Sequence, residues 1–253
     1  MIDRAAKEPS NRDDRMELLG HLEALDGDGL SASLEAADLS VLSFMLGGTG
    51  MARRVLTIEE ASRGLLERLP LEDPESIEDA RTVRDSSVRA VSQMSRVLAL
   101  VRTWLEAPPK DEEAAEKAIR ELFHAFNNVL VGINCYAELL LLELRQGDPC
   151  HAELQTIYAQ GEATSRLVRD RATLQMHLNE LADCSDAELQ GRQQQILRLL
   201  LDTLGVQVLL NEHGAIEIDS GNLEERYTSL PAAEGFVLRE AVRRLTALSP
   251  DPA

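Results

Sequence analysis

The segment Leu122–Leu144 reads LFHAFNNVLVGINCYAELLLLEL and decides how this chain is expected to fold. Its apolar side chains recur at alternating spacings of three and four residues, the pattern of a helix that packs in a bundle. The members of this predicted seam are Leu122, Phe126, Val129, Ile133, Tyr136, Leu140 and Leu144. The pattern therefore predicts a long amphipathic helix whose apolar side must be covered by other helices.

A row of different side chains lies beside that seam. His124, Asn128 and Gly132 follow one another at spacings of four, so they share one face of the helix, and we expect this face to meet solvent. A neutral imidazole carries a lone pair that can attack a phosphoryl group, and an amide can orient a second group beside it. His124 and Asn128 are thus candidate catalytic residues, although a plain polar helix face would explain the same residues.

The wider string resembles the phosphoacceptor helix of histidine kinases. In that family His-Asp-Phe-Asn-Asn precedes a branched apolar run and Gly-Tyr-Ala-Glu-Leu-Leu, and this chain has His124–Asn128, then Gly132 and Tyr136–Leu140. The similarity covers about residues 112–183, the extent of a dimerisation and phosphotransfer domain. It implies a helical hairpin that dimerises into a four-helix bundle.

The resemblance also assigns roles to single residues. It implies that His124 accepts the phosphoryl group and that Asn128 orients a water or the phosphoryl group during transfer. Asn127, Val131 and Gly132 would then contact the partner. Ala125 departs from the family, because the acidic residue that follows the histidine there accepts a proton from the imidazole.

An ATP-binding domain is not recognisable after the hairpin. The segment that remains is shorter than the family's domain, and its nearest string to a nucleotide motif, Asp219-Ser220-Gly221, lacks the Gly-rich turns that should follow. No cofactor is predicted. We therefore expect a bacterial two-component signalling protein that acts as a phosphohistidine phosphotransferase or binds a response-regulator receiver domain, without ATP-dependent kinase activity. The alternative is a noncatalytic helical adaptor, a pseudokinase that only dimerises and binds a protein partner.

Composition supports a mainly α protein and narrows the choice of partner. The 253 residues carry a formal net charge of -18, and only 3% are aromatic. Excess negative charge disfavours binding to nucleic acid phosphates, so a protein partner is expected. No stretch reaches the roughly 18 uninterrupted apolar residues of a membrane span, and the N-terminus lacks a signal-peptide core, so we predict a cytoplasmic protein without membrane contact.

The cysteines and histidines do not suggest a metal site. Cys135, Cys150 and Cys184 are widely spaced, which favours ordinary thiols, with Cys135 packed. The five histidines form no ligand-like pair. We predict no metal.

Breaker residues divide the chain into four regions. They are a flexible leader (1–15), a helical N-terminal region of unknown role (16–106), the hairpin (112–183) and a small α/β cap (186–253). We interpret the cap as a degenerate remnant of an ATP-binding domain. In the second region we expect helices at 16–25, 34–42, 57–69 and 75–106, with the second stopped near Gly47-Gly48 and a turn at Asp26–Gly29. In the cap we expect a helix at 186–204, a β-hairpin around Asn211–Gly214, a polar loop and a closing helix at 231–248.

The hairpin alone cannot bury its wide apolar face. A homodimer through the hairpin is the favoured solution, as the resemblance implies. The alternative cover is intramolecular, from the helix at 75–106.

Overall fold

The computed structural model describes residues 11–26, 39–68, 74–107, 109, 111–144, 147–181, 185–210, 216–230 and 232–248. Its helices are α1 (Asn11–Asp26), α2 (Leu39–Arg68), α3 (Pro74–Glu106), α4 (Glu112–Glu143), α5 (His151–Leu181), α6 (Asp186–Thr203), α7 (Ser220–Ser229) and α8 (Ala232–Ala247). The strands β1 (Val208–Leu210) and β2 (Ile216–Ile218) form a two-stranded antiparallel sheet. The prediction of a mainly α fold with a small α/β cap is confirmed.

Four long helices form a closed bundle within one chain. α2 packs against α3 and α5, and α4 packs against the same two helices. Because short segments join α2 to α3, α3 to α4 and α4 to α5, successive helices run antiparallel. The regions expected to be a separate N-terminal part and a hairpin therefore share one core.

The apolar side of α4 meets this core. Asp111 caps the helix, because its carboxylate accepts a hydrogen bond from the Ala114 amide at 3.0 Å. The fully buried apolar stripe consists of Ile119, Phe123, Phe126, Leu130, Ile133, Ala137 and Leu140. The predicted seam shares three of these residues, and its other members, among them Leu122 and Val129, are only partly buried. The buried stripe is rotated from the predicted one because both α3 and α5 cover the helix.

This arrangement removes the reason for which a homodimer was expected. The seam residues Phe126, Ile133 and Leu140 are fully buried in a single chain, with α3 packed against α4. The intramolecular alternative, a cover from the helix at 75–106, is what the structure has. A homodimer remains a prediction, but it needs a different surface.

α2 is one continuous helix where two helices were predicted with a stop near Gly47-Gly48, so that prediction is wrong. A Cβ at position 48 would lie 2.9 Å from Leu98 Cδ2 of α3. Glycine at this position therefore lets two helices approach closely rather than ending one of them. The predicted turn at Asp26–Gly29 and the start of a helix at 34 fall mostly on residues 27–38, outside the described residues.

α1 begins inside the stretch expected to be a flexible leader. Asp13 and Asp14 lie in its first turn, where carboxylates favour helix formation. Arg15 donates to Glu59 of α2, a fully buried carboxylate that also accepts from Arg63 Nε at 2.8 Å. Residues 11–15 are therefore part of α1, whereas residues 1–10 lie outside the described part of the chain.

The cap packs beside the bundle through α6 on α5 and α8 on α2. The strands pair with Val208 opposite Ile218 and Leu210 opposite Ile216, which confirms the expected β-hairpin, although its turn at 211–215 is outside the described residues. The expected polar loop is instead α7. Asp219 caps that helix by accepting from the amides of Gly221 and Asn222, so the string that resembled a nucleotide motif is a helix start.

One helix among the described residues is long and apolar enough to cross a membrane by length and composition. It is Glu113–Glu143, and 33% of its most apolar window is buried inside the protein. This is weak support for a membrane span, because helices that line a bundle core pass the same test. The absence of membrane contact and the cytoplasmic location therefore both stay predictions.

Candidate functional site

His124 lies on the outer surface of the bundle, in the first half of α4. Both His124 and Asn128, one turn further along, are exposed, as predicted. Gly132 is only half-buried rather than solvent-facing, and a Cβ there would lie 3.9 Å from Ser86 Oγ of α3. The predicted row therefore begins in solvent at His124 and turns towards α3.

A groove of about 670 Å³ runs between α4 and α5 beside the histidine. His124 and the half-buried Asn127 line it from α4. Asn128, Val131 and Gly132 are not among its lining residues. The predicted site residues are thus divided between a groove and the open face of the helix.

Three arginines give this groove its charge. Arg120 lies one turn before His124 on α4, and Arg169 and Arg171 come from α5. In a chain with a formal net charge of -18, such a concentration of guanidinium groups is a local reversal of sign. The groove is therefore suited to an anion.

Arg171 is the unusual member of this group, because it is only 4% exposed. Its guanidinium carbon lies 3.7 Å from the centre of the Phe123 ring, a cation–π contact between α5 and α4. The pKa of Arg171 is lowered to about 9, mainly by burial and also by the neighbouring Arg120, while Glu116 acts in the opposite direction. The positive charge of Arg171 is therefore held at a cost in free energy.

The carboxylates near the groove already have partners. Glu116 accepts from Arg120 Nη1 at 3.1 Å. Glu180, which lines the groove, accepts from Arg192 Nη1 at 2.9 Å and lies 3.3 Å from His177 Nδ1. Ala125 offers no carboxylate beside the histidine. The acid that the resembled family uses has no replacement at that position.

A buried polar contact fixes the register of α4 against α5, and so the shape of the groove. Asn134 Nδ2 donates to Glu162 Oε1 at 3.0 Å and to Ser165 Oγ at 3.1 Å. Gly161 faces the same amide, and a Cβ added there would overlap Asn134 Oδ1. A single amide in a helix seam, opposite a glycine, favours one register over its neighbours.

Beyond the histidine, the outer face of α4 carries several exposed apolar side chains. Val131 is 51% exposed, Leu139 47% and Leu142 78%. Cys135 lies among them and is exposed, so the prediction that it packs is wrong. Cys150 is buried, and Cys184 lies outside the described residues. We refer to Val131, Cys135, Leu139 and Leu142 as the α4 ridge.

The arginines of α5 were not predicted as site residues, although the sequence contains a signal for one of them. Arg171 stands three residues after Val168 and three before Leu174, so it falls on the apolar stripe of its own helix. A charged residue at a core position is an exception that calls for an explanation. The distance in sequence between α4 and α5 concealed that Arg120 and Arg171 share a groove.

Comparison with known proteins gives no family assignment: no protein-family profile, curated protein or solved structure matches this chain. Among the described residues no group of three or more His, Cys, Asp and Glu side chains could hold a metal ion. The site offers the exposed imidazole of His124, the amides of Asn127 and Asn128 about one turn further along, and guanidinium groups beside the imidazole.

Proposed function

We propose that this protein takes part in two-component-type signalling as a phosphohistidine phosphotransferase or as a module that binds a response-regulator receiver domain. The observation that carries the proposal is the exposed imidazole of His124 on a helix whose other side is fixed in a bundle core. A nucleophile in a transfer between two proteins must be reachable by the partner's phosphoryl group. A rigid helix also holds it at a constant orientation.

The charge of the groove supports the same chemistry. A phosphoryl group on His124 carries negative charge, and Arg120 lies one helical turn away on the same face. Guanidinium groups stabilise phosphoryl oxygens by charge-assisted hydrogen bonds. Arg120 and Arg169 are thus the residues that we assign to this role.

Autonomous kinase activity is not part of the proposal. Ala125 cannot accept the imidazole proton, and Asp219 caps α7 instead of opening a nucleotide loop. A phosphorylated aspartate on a receiver domain is a more reactive phosphoryl donor than ATP towards an imidazole that has no neighbouring acid. We therefore expect phosphate to enter from a receiver domain rather than from ATP.

The test is transfer of label from phosphorylated receiver domains to the purified protein. Wild-type protein should gain an acid-labile, base-stable label, and His124→Gln should gain none. His151→Gln, a second histidine on the bundle, is the matched control and should label like wild type. Labelling of His124→Gln at the wild-type level would overturn the proposal.

The noncatalytic adaptor is the second candidate, and the α4 ridge favours it. Apolar side chains exposed next to each other on one helix commonly mark a protein contact. In this case Val131→Asp should abolish receiver binding while His124→Gln should leave it unchanged. Leu100→Asp, at an exposed leucine of α3, controls for an added charge on the bundle surface.

A further inference from the structure

The groove between α4 and α5 has two kinds of lining, one apolar and one positively charged. Phe123, Val168 and Met176 supply an apolar wall, and Arg120, Arg169 and Arg171 supply positive charge. Its volume of about 670 Å³ falls in the range of small-molecule sites, roughly 300–1,000 Å³. Those sites likewise combine apolar walls with a few polar groups.

Arg171 is buried, so the positive charge of the groove extends below the protein surface. Stacking on Phe123 uses the flat face of the guanidinium and directs its N–H donors along the plane of the group. Arg120 lies close enough to lower the pKa of Arg171, and Glu116, which pairs with Arg120, opposes that effect only in part. Two guanidinium groups and one carboxylate leave a net positive charge beside an apolar wall, which an anion would neutralise and a neutral ligand would not.

We propose that the groove binds a small amphipathic anion, a molecule with one phosphate or carboxylate group and an apolar body. The anionic group contacts Arg120 and Arg171, and the apolar body lies against Phe123, Val168 and Met176. This ligand would share Arg120 and the groove beside His124 with the proposed phosphotransfer role, but its binding needs no phosphodonor and no receiver domain. The ligand is a free molecule rather than a lipid in a bilayer, since its anionic group must reach a guanidinium that is 4% exposed.

The experiment is a calorimetric titration of the full chain with octyl phosphate below its micellar concentration. We expect saturable binding at one site. Octyl glucoside, which has the same apolar body without the charge, and inorganic phosphate, which has the charge without the body, should each bind at least about tenfold more weakly.

Variants locate the site. Arg171→Met should weaken octyl phosphate binding by about tenfold or more, because a charge-assisted contact is lost while the side chain's volume is kept. Arg166→Met removes the same charge from an exposed position of α5 outside the groove, and should stay within about twofold of wild type. If Arg171→Met fails to fold, Arg120→Met takes its place with the same expectation.

Each other result overturns the proposal. Binding that is equal in wild type, Arg171→Met and Arg120→Met would place the ligand elsewhere, and no binding at millimolar octyl phosphate would remove the site. Binding to phosphatidic acid vesicles that depends on Arg171, without binding of octyl phosphate, would assign the arginines to a membrane surface. Since no phosphodonor is present, these results are independent of whether His124 accepts label.

Discussion

The two helical hairpins of the bundle, α2–α3 and α4–α5, are alike in length but differ in what covers them. α1 packs against both helices of the first hairpin, and α8 packs against α2. In the second hairpin, α6 packs on α5, whereas the main neighbours of α4 among the described elements are α3 and α5 alone. The outer side of α4 is therefore the open side of the bundle.

The outer surfaces of α3 and α4 also differ in chemistry. The large apolar side chain exposed on α3 is Leu100, at 39%, whereas α4 exposes Val131, Leu139 and Leu142 to a greater degree. Apolar groups left in water on a helix cost free energy that a polar residue would avoid. α4 therefore has one apolar side in the core and a second side, with exposed apolar residues, that faces away from the core. His124 lies on this second side.

The largest predicted effect is a difference in stability between a substitution on the core side of α4 and one on its exposed side. Ile133→Glu places a charge in the fully buried seam and should cost roughly 4 kcal/mol, enough to unfold the bundle. Leu142→Glu, on the ridge, should change stability by less than about 0.5 kcal/mol. Chemical denaturation followed by circular dichroism measures both. Equal losses would mean that the ridge is buried in the folded protein, and the contrast between the two sides would be lost.

Ile133→Glu is also uninformative about dimerisation, because a monomer buries Ile133 by itself. The sequence predicted that this seam needed cover, and it does. Which helix supplies the cover depends on contacts between residues far apart in the chain, and periodicity carries no such information. The apolar seam predicted for α4 could pack against a partner chain or against the chain's own α3 equally well.

Local signals were more informative than long-range ones. The bounds of α3 followed from helix-start and helix-stop residues, because those signals act within one turn. Gly48 was misinterpreted as a stop, since its role depends on Leu98, fifty residues away. For the site, His124 and Asn128 were predicted by spacing and are exposed, but the arginines that share the groove come from another helix.

The second prediction compares a glycine-to-alanine substitution in each of the two hairpins. Gly161→Ala forces a Cβ into the short, buried side chain of Asn134, and should destabilise the fold by about 2 kcal/mol. Gly48→Ala meets the end of Leu98, a flexible side chain that can turn away. It should stay within about 1 kcal/mol of wild type because alanine also favours the helix. Thermal unfolding gives both values.

Asn134→Ala provides the control for that comparison. In the double variant Asn134→Ala with Gly161→Ala the overlap is absent. The loss of stability in the double variant should therefore be smaller than the sum of the losses in the two single variants. Strict additivity would show that the amide and the glycine do not meet, and that the register of α4 against α5 is fixed by other contacts.

The third prediction concerns Arg171, whose burial is unfavourable for the fold. Because its pKa is lowered to about 9 mainly by burial, Arg171→Met removes a desolvation cost and should leave stability unchanged or raise it by about 1 kcal/mol. Urea unfolding at pH 7, where Arg171 is charged in both the folded and the unfolded chain, measures the difference. A loss above about 2 kcal/mol would mean that the arginine holds α4 and α5 together, which would make the groove a structural feature.

The last prediction, with the smallest expected change in stability, tests whether the exposed side of α4 contacts a second copy of the chain. If a second copy of this chain covers the ridge, Leu139→Ser with Leu142→Ser should convert a dimer into a monomer in sedimentation experiments. The free energy of unfolding of each subunit should change by less than about 0.5 kcal/mol, since both positions are exposed in the single chain. Leu100→Ser on α3 is the matched control and should leave the sedimentation coefficient unchanged. A wild-type protein that sediments as a monomer at all concentrations would rule out a homodimer through this face and leave the ridge to a different protein, because the core side of α4 is already filled by α3 and α5.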